Sequence, residues 1–242
     1  MMKKTKGGGA MTRGLNRNQL KYIAIVAMVM DHVAWAFFPL SMWQGQALHF
    51  VGRLTGPIMA FFLAEGYLHT RSPGKYAARL AVFALLSWPT FSYFETGRWF
   101  GPYFGVIYTL LLGLLAVWIW DRAPVHVVCK VLLIGGLCWL SKWGDWPYFD
   151  VLWPLVLVMF RDETWKKRLL FVLITAVAWY WCMRLYHPWQ RGLFNAGIFA
   201  APALLFLAYN GQRGSAAPFH RWFFYVFYPA HLLALGLLRW SW

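Results

Sequence analysis

Stretches of about 20 apolar residues recur along the chain with only short polar breaks, and a helix needs about 20 residues to cross the roughly 30 Å hydrocarbon slab of a bilayer. A water-soluble globule is excluded by the same pattern. Over 242 residues, 60% apolar, 20% aromatic and 13% charged side chains leave too little polar surface to wrap one. A transmembrane barrel fits no better, because barrel strands alternate polar and apolar, whereas residues 103–120 are apolar on every side. The expected fold is therefore all-α: a polytopic integral membrane helix bundle of about nine spans, near residues 20–40, 46–70, 76–95, 102–120, 125–141, 146–161, 168–185, 192–209 and 220–240. Nine spans take about 180 residues, so no sizeable soluble domain is expected. The chain is expected to divide into a basic, disordered, glycine-containing cytosolic tail, 1–19, and a transmembrane domain, 20–242. The first apolar segment exceeds a signal-peptide core and is followed by PLSMWQGQ, which offers no small-residue cleavage site, so it is expected to be retained.

The net charge of +15 would suggest nucleic acid in a soluble protein, but here its distribution carries the meaning. With the N-terminus inside, 17 of the 23 basic residues fall on the cytosolic side, five on the other, and Arg53 within a span. Lysine and arginine collect in cytosolic loops, so the expected orientation is N-terminus in and C-terminus out, in a bacterial-type cytoplasmic (inner) membrane, with no nucleic-acid partner. The 17 tryptophans are expected mainly at the two membrane interfaces. Three cysteines without CxxC spacing indicate no disulfide framework. No metal motif such as HExxH is present, so no metal site is expected.

An ionised side chain at the bilayer centre costs at least about 2.5 kcal/mol, so charges at membrane depth are functional candidates. Asp31 and His32 come eleven and twelve residues after the first helix enters at Leu20, roughly 17 Å deep at 1.5 Å per residue. His231 lies at similar depth on the last helix, with Tyr228 about one turn earlier on the same face, so two imidazoles converge if these helices are neighbours. The second helix carries His49 with Arg53, then Glu65 with His69, each pair four residues apart and sharing a face. An aspartate beside a histidine can fix one imidazole tautomer and stabilise imidazolium, which a general base needs. The same buried groups suit a proton-coupled transporter or flippase, or a scaffold in a secretion or conjugation assembly, and the residues alone leave these open.

The runs FFLAEGYLHTRSPGKYAARL (61–80) and LNRNQLKYIAIVAMVMDHVAW (15–35), with GRLTGPIMAFF, YTLLLGLL, YNGQRG and FFYVFYPAHLL in order along nearly the whole chain, resemble the TraX family of conjugal-transfer proteins, associated with acetylating the pilin N-terminus. The pieces also look like a compact version of the acyltransferase-3 proteins: Lys21 and His32 are eleven apart, 61–79 matches an FF..SGFL.T.S-type segment with downstream arginines, and Tyr228 with His231 loosely matches YL.H.P. The resemblance implies a membrane-bound, acyl-CoA-dependent acetyltransferase with acetyl-CoA as donor substrate. It implies His32 as the base, oriented by Asp31, and Arg53, His231 or Tyr228 as stabilisers of the oxyanion. Lys21, Arg71 and Arg79 are expected to hold the CoA phosphates, with Glu65 and His69 beside them. The expected partners are the lipid bilayer and an amine or hydroxyl acceptor, a membrane-presented peptide or glycan arriving from the outer side.

Overall fold

A computed structural model describes residues 14–241, so residues 1–13 of the expected tail, with Lys3, Lys4, Lys6 and Arg13, lie outside the described residues, as does the side chain of Arg221. Among the described residues every regular element is helical, and extended backbone pairs only at two isolated bridges, Leu15 with Tyr209 and Phe104 with Gly144.

The first helix, α1 (Arg17–Phe37), begins three residues before the expected entry at Leu20, so the end of the expected disordered tail is ordered instead: Leu15 bridges to Tyr209 and Arg17 pairs with Glu65. Asn16 sets its start through a capping box: its side chain accepts from the Gln19 amide at 3.0 Å, while the Gln19 side chain accepts from the Asn16 amide at 2.9 Å. The expected span 46–70 is two helices, α2 (Trp43–Gly52) and α3 (Thr55–His69), joined by a turn at Arg53 and Leu54. Pro57 accounts for the break, since it has no N–H to give to the carbonyl four residues back. Then follow α4 (Pro73–Thr96), α5 (Val106–Arg122), α6 (Val127–Leu140), α7 (Phe149–Met159) and α8 (Thr164–Arg184). The span expected at 192–209 is not one α-helix but a 3₁₀ segment, Trp189–Phe199, a single turn α9 (Ala200–Ala203) and a π segment, Leu204–Ala208. Gly192, Gly197 and Pro202 lie in this stretch, where α-helix is disfavoured. The last helix is α10 (Pro218–Trp240), with Pro218 in its first turn.

Among the described residues four stretches are long and apolar enough to cross a membrane: Arg17–Phe37, Trp43–His69, Trp189–Ala208 and Pro218–Trp240. The surface agrees with a lipid-facing role, because large apolar side chains such as Leu207 (86% exposed) and Leu132 (70%) point outward. Inside, one continuous core runs from Leu20 and Ile58 through Leu114 and Trp153 to Leu232. Helix α1 packs against α2, α3 and α10, and α10 also packs along α4. That adjacency of the first and last helices, 199 residues apart at His32 and His231, makes the functional centre possible. The ends of α1 and α10 where the chain enters, the end of α3 and the start of α4 meet at one rim of the bundle; the 97–104 and 141–148 segments close the other.

Candidate functional site

His32 and His231 meet in the interior. Both are nearly buried, at 6% and 8% exposure, and His231 Nε2 lies 3.0 Å from His32 Nδ1. The direction of this hydrogen bond follows from the next one. His231 Nδ1 is 3.0 Å from the Phe227 carbonyl oxygen, which only accepts, so the His231 proton sits on Nδ1. Its Nε2 is then a lone pair, and His32 Nδ1–H donates to it. In the neutral pair the free lone pair is left on His32 Nε2, which has no hydrogen-bond partner among the described residues. The His231 ring is itself fixed by stacking on Phe227, with centroids 5.2 Å apart and planes 8° from parallel.

Asp31 does not orient His32, contrary to the sequence expectation. Its two oxygens are taken by His49 Nδ1, at 2.8 Å, and by the Arg53 guanidinium in an ion pair. The α1–α2 hairpin brings these groups together, and Gly52 permits it: a Cβ there would run into the Asp31 side chain. His49 is fully buried between Trp35 and Phe194, with ring centroids 4.4 and 4.8 Å away. Arg53 lies over Trp146 at 5.0 Å and Phe194 at 5.4 Å, so it is a fixed counter-ion of Asp31 rather than a donor aimed at the histidines.

A small cavity of about 10 Å³, room for one water-sized group, is lined by Asp31, His32, Gly52, Thr55, Val106, Asp145, Trp146 and Tyr228. Tyr228, 3% exposed, accepts the Val106 N–H at 3.0 Å and keeps its own hydroxyl proton to donate. Gly105 is needed for that approach, because a Cβ would strike the Tyr228 hydroxyl. Asp145 is a cavity residue that the sequence reading missed. Burial pushes its carboxyl up to about 6, against the opposing pull of the Arg53 guanidinium.

About one helical turn toward the rim lies a second cavity, of about 680 Å³. Thr55 and Met59 of α3, like Val106 and Leu110 of α5, line the small and the large cavity respectively. Its walls carry Arg17, Lys21, Glu65, His69, Arg79, Arg213 and His220. Glu65 accepts from Arg17 Nε at 2.7 Å and from the Tyr209 hydroxyl at 2.6 Å, so the one carboxylate is already neutralised. Lys21, Arg79 and Arg213 have no anionic partner among the described residues: Lys21 Nζ lies 5.0 Å from the Phe224 ring centre, and Arg79 Nε donates to the Tyr225 hydroxyl at 3.2 Å. His69 Nδ1 donates back to the Glu65 carbonyl at 2.7 Å. Arg71, expected here, is exposed and does not line the cavity; Arg213, from the loop before α10, supplies a cation instead. The surplus of positive charge suits a polyanion at this mouth.

A helical bundle with apolar stretches long enough to cross a membrane, a basic cavity at one rim and a buried histidine pair inside has the character of a membrane protein. The chain belongs to the TraX family, whose model, described as TraX protein, matches residues 16–239. A probable fimbrial assembly protein FimC, serogroup H1, of Dichelobacter nodosus is 33% identical over 229 residues, covering 90% of this chain and 93% of that protein. No solved structure matches the chain.

Proposed function

We propose that the protein is an integral membrane acetyltransferase that moves an acetyl group from cytosolic acetyl-CoA to an amine or hydroxyl acceptor reaching the site from the outer side, with His32 as general base. The observation that carries this reading is His32, whose Nδ1 is engaged by His231 and whose Nε2 has no hydrogen-bond partner among the described residues, on the wall of a small cavity about one turn from a large basic one. From Lys21 to His32 is about 17 Å along α1, a span that an extended pantetheine arm covers. The phosphates then rest among Lys21, Arg79 and Arg213 while the thioester reaches the histidines. As the acceptor attacks the carbonyl carbon, His32 Nε2 takes its proton, and the Tyr228 hydroxyl is the donor best placed for the oxyanion. His32 then protonates the departing thiolate.

The reading includes nine spans with the N-terminus in the cytosol, in the inner membrane, and is supported by the basic mouth opening at the end that the charge distribution assigns to the cytosol. The association of the family with pilin acetylation, and the name of the FimC relative, support a role in building surface fibres. The test is purified protein in nanodiscs given acetyl-CoA and a peptide or glycan acceptor, with products read by mass spectrometry. An acetylated acceptor and free CoA are expected. Failure to bind or consume acetyl-CoA, together with solute flux driven by a pH gradient in vesicles, would contradict it.

A further inference from the structure

We propose that Asp145 is a second proton acceptor at the His32 cavity, the group that takes the proton an ammonium acceptor must lose before His32 can act on it. The inference rests on the acetyltransferase reading and deepens it. Acylation of a hydroxyl loses one proton from the acceptor, and the leaving thiolate takes one back, so a single base suffices. A primary ammonium must lose two, one to free the nitrogen lone pair and one as the amide forms.

Among the described residues that line the cavity, His32 and Asp145 are the two bases with an unengaged acceptor atom. Asp31 also lines it, but both its oxygens are bound, by His49 and Arg53. Asp145 differs. One of its oxygens accepts from the Trp146 N–H at 3.0 Å, and its other oxygen has no hydrogen-bond partner and no ion-pair partner among the described residues. The loop that carries it is held firmly, since the Asp145 N–H donates to the Phe104 carbonyl at 3.0 Å and the Phe104 N–H to the Trp143 carbonyl at 2.8 Å. The volume of about 10 Å³ matches one ammonium head as well as one water. With Asp31 and Arg53 cancelling, and the two histidines neutral, Asp145 leaves the pocket one negative charge that an incoming cation would balance. A carboxyl pushed up to about 6 is also a stronger proton acceptor than an ordinary aspartate.

The step balances. Asp145 carboxylate takes a proton from R–NH₃⁺; the amine nitrogen forms a bond to the thioester carbonyl carbon; His32 Nε2 takes the second N–H proton. The C–S bond then breaks, the thiolate takes the proton from His32, and Asp145 releases its own to water. The products are the amide, the thiol and one net proton. The groups whose charge reaches Asp145 are Asp31 and Arg53, Glu95 of α4, Asp150 of α7, Cys182 of α8 and Tyr228 of α10; His32 shares the cavity wall, with His231 bonded behind it.

The experiment follows kcat/KM for acetylation of a short peptide through its N-terminal amine, from pH 6 to pH 9.5, in wild type and Asp145→Asn. An α-amine titrates near 7.8, so it is about 85% protonated at pH 7 and nearly all neutral at pH 9. The variant is expected to lose about sevenfold at pH 7, the share set by the neutral amine, and to recover by pH 9, with acetyl-CoA binding unchanged, while Asp145→Glu keeps the wild-type profile. Asp145→Ser carries the same expectation should the asparagine variant fail to fold. Superimposable profiles for wild type and both carboxylate-free variants would overturn the assignment of Asp145 and leave the acetyltransferase intact. Absence of any transfer by the wild type would sink both.

Discussion

His231 Nε2 lies 3.0 Å from His32 Nδ1, and because the far side of the His231 ring donates to the Phe227 carbonyl, hydrogen-bond donation runs in one direction, from His32 to His231 to the backbone. A histidine here does what an aspartate does in many acyl-transfer sites: it fixes the tautomer of the base. It does so without placing a charge beside His32, at a depth where charge is costly.

This arrangement makes His231 a positioning residue whose chemistry can be imitated. His231→Leu is expected to lower kcat about 100-fold with KM for acetyl-CoA little changed, since the basic cavity is untouched. His231→Gln, which keeps an acceptor for His32 Nδ1–H, is expected to restore part of that loss. Equal damage from both substitutions would show that His231 does not act through its acceptor nitrogen.

Asp31 and Arg53 form a largely buried pair, and removing one partner strands the other. Arg53→Ala and Asp31→Asn are each expected to destabilise the protein by about 3 to 5 kcal/mol, with the double variant far less than additive. Unfolding midpoints in detergent, compared across the four proteins, read this coupling. Additive losses would mean that the pair contributes nothing as a pair.

Charge at the large cavity should govern donor affinity. Replacing Lys21, Arg79 or Arg213 with alanine is expected to raise KM for acetyl-CoA about tenfold or more each, with kcat held, because each removes a charge-assisted contact of about 1.5 to 3 kcal/mol. Arg71→Ala, outside the cavity, is expected to behave as wild type. Titration of acetyl-CoA in the presence of each variant separates the two groups.

Gly52 of α2 packs directly against the Asp31 side chain. A methyl group there has to displace the carboxylate, so Gly52→Ala is expected to cost about 1 to 3 kcal/mol in stability, more than the same change at Gly135 or Gly136, where a Cβ meets open space. Thermal unfolding of the three variants checks the ordering.

Much of this site was legible in the sequence because depth can be counted. Eleven residues from Lys21 to His32 and eleven from His220 to His231 put both imidazoles on one level, and the structure brings them into contact. What counting along one helix cannot give is which neighbour turns its side chain inward. Asp31 sits beside His32 in sequence, but successive residues on a helix point about 100° apart, so its carboxylate faces α2 and meets His49 and Arg53. Asp145 was invisible for a different reason: it lies in a short loop, and only the pairing of Phe104 with the 143–145 segment brings it to the cavity. Arg71 and Arg213 exchanged parts because a loop residue has no helical face to read. The breaks at Arg53–Leu54 and along 189–208 were signalled by Pro57, Gly192, Gly197 and Pro202, residues that the apolar pattern alone passes over.

The central claim is that His32 Nε2 removes the acceptor proton, and it is tested most directly by single-turnover acetyl transfer with His32→Gln in nanodiscs, scored beside acetyl-CoA binding to the same protein. The account predicts a fall of about 10² to 10⁴ in the transfer rate with donor binding preserved. Transfer at the wild-type rate by that variant would contradict it.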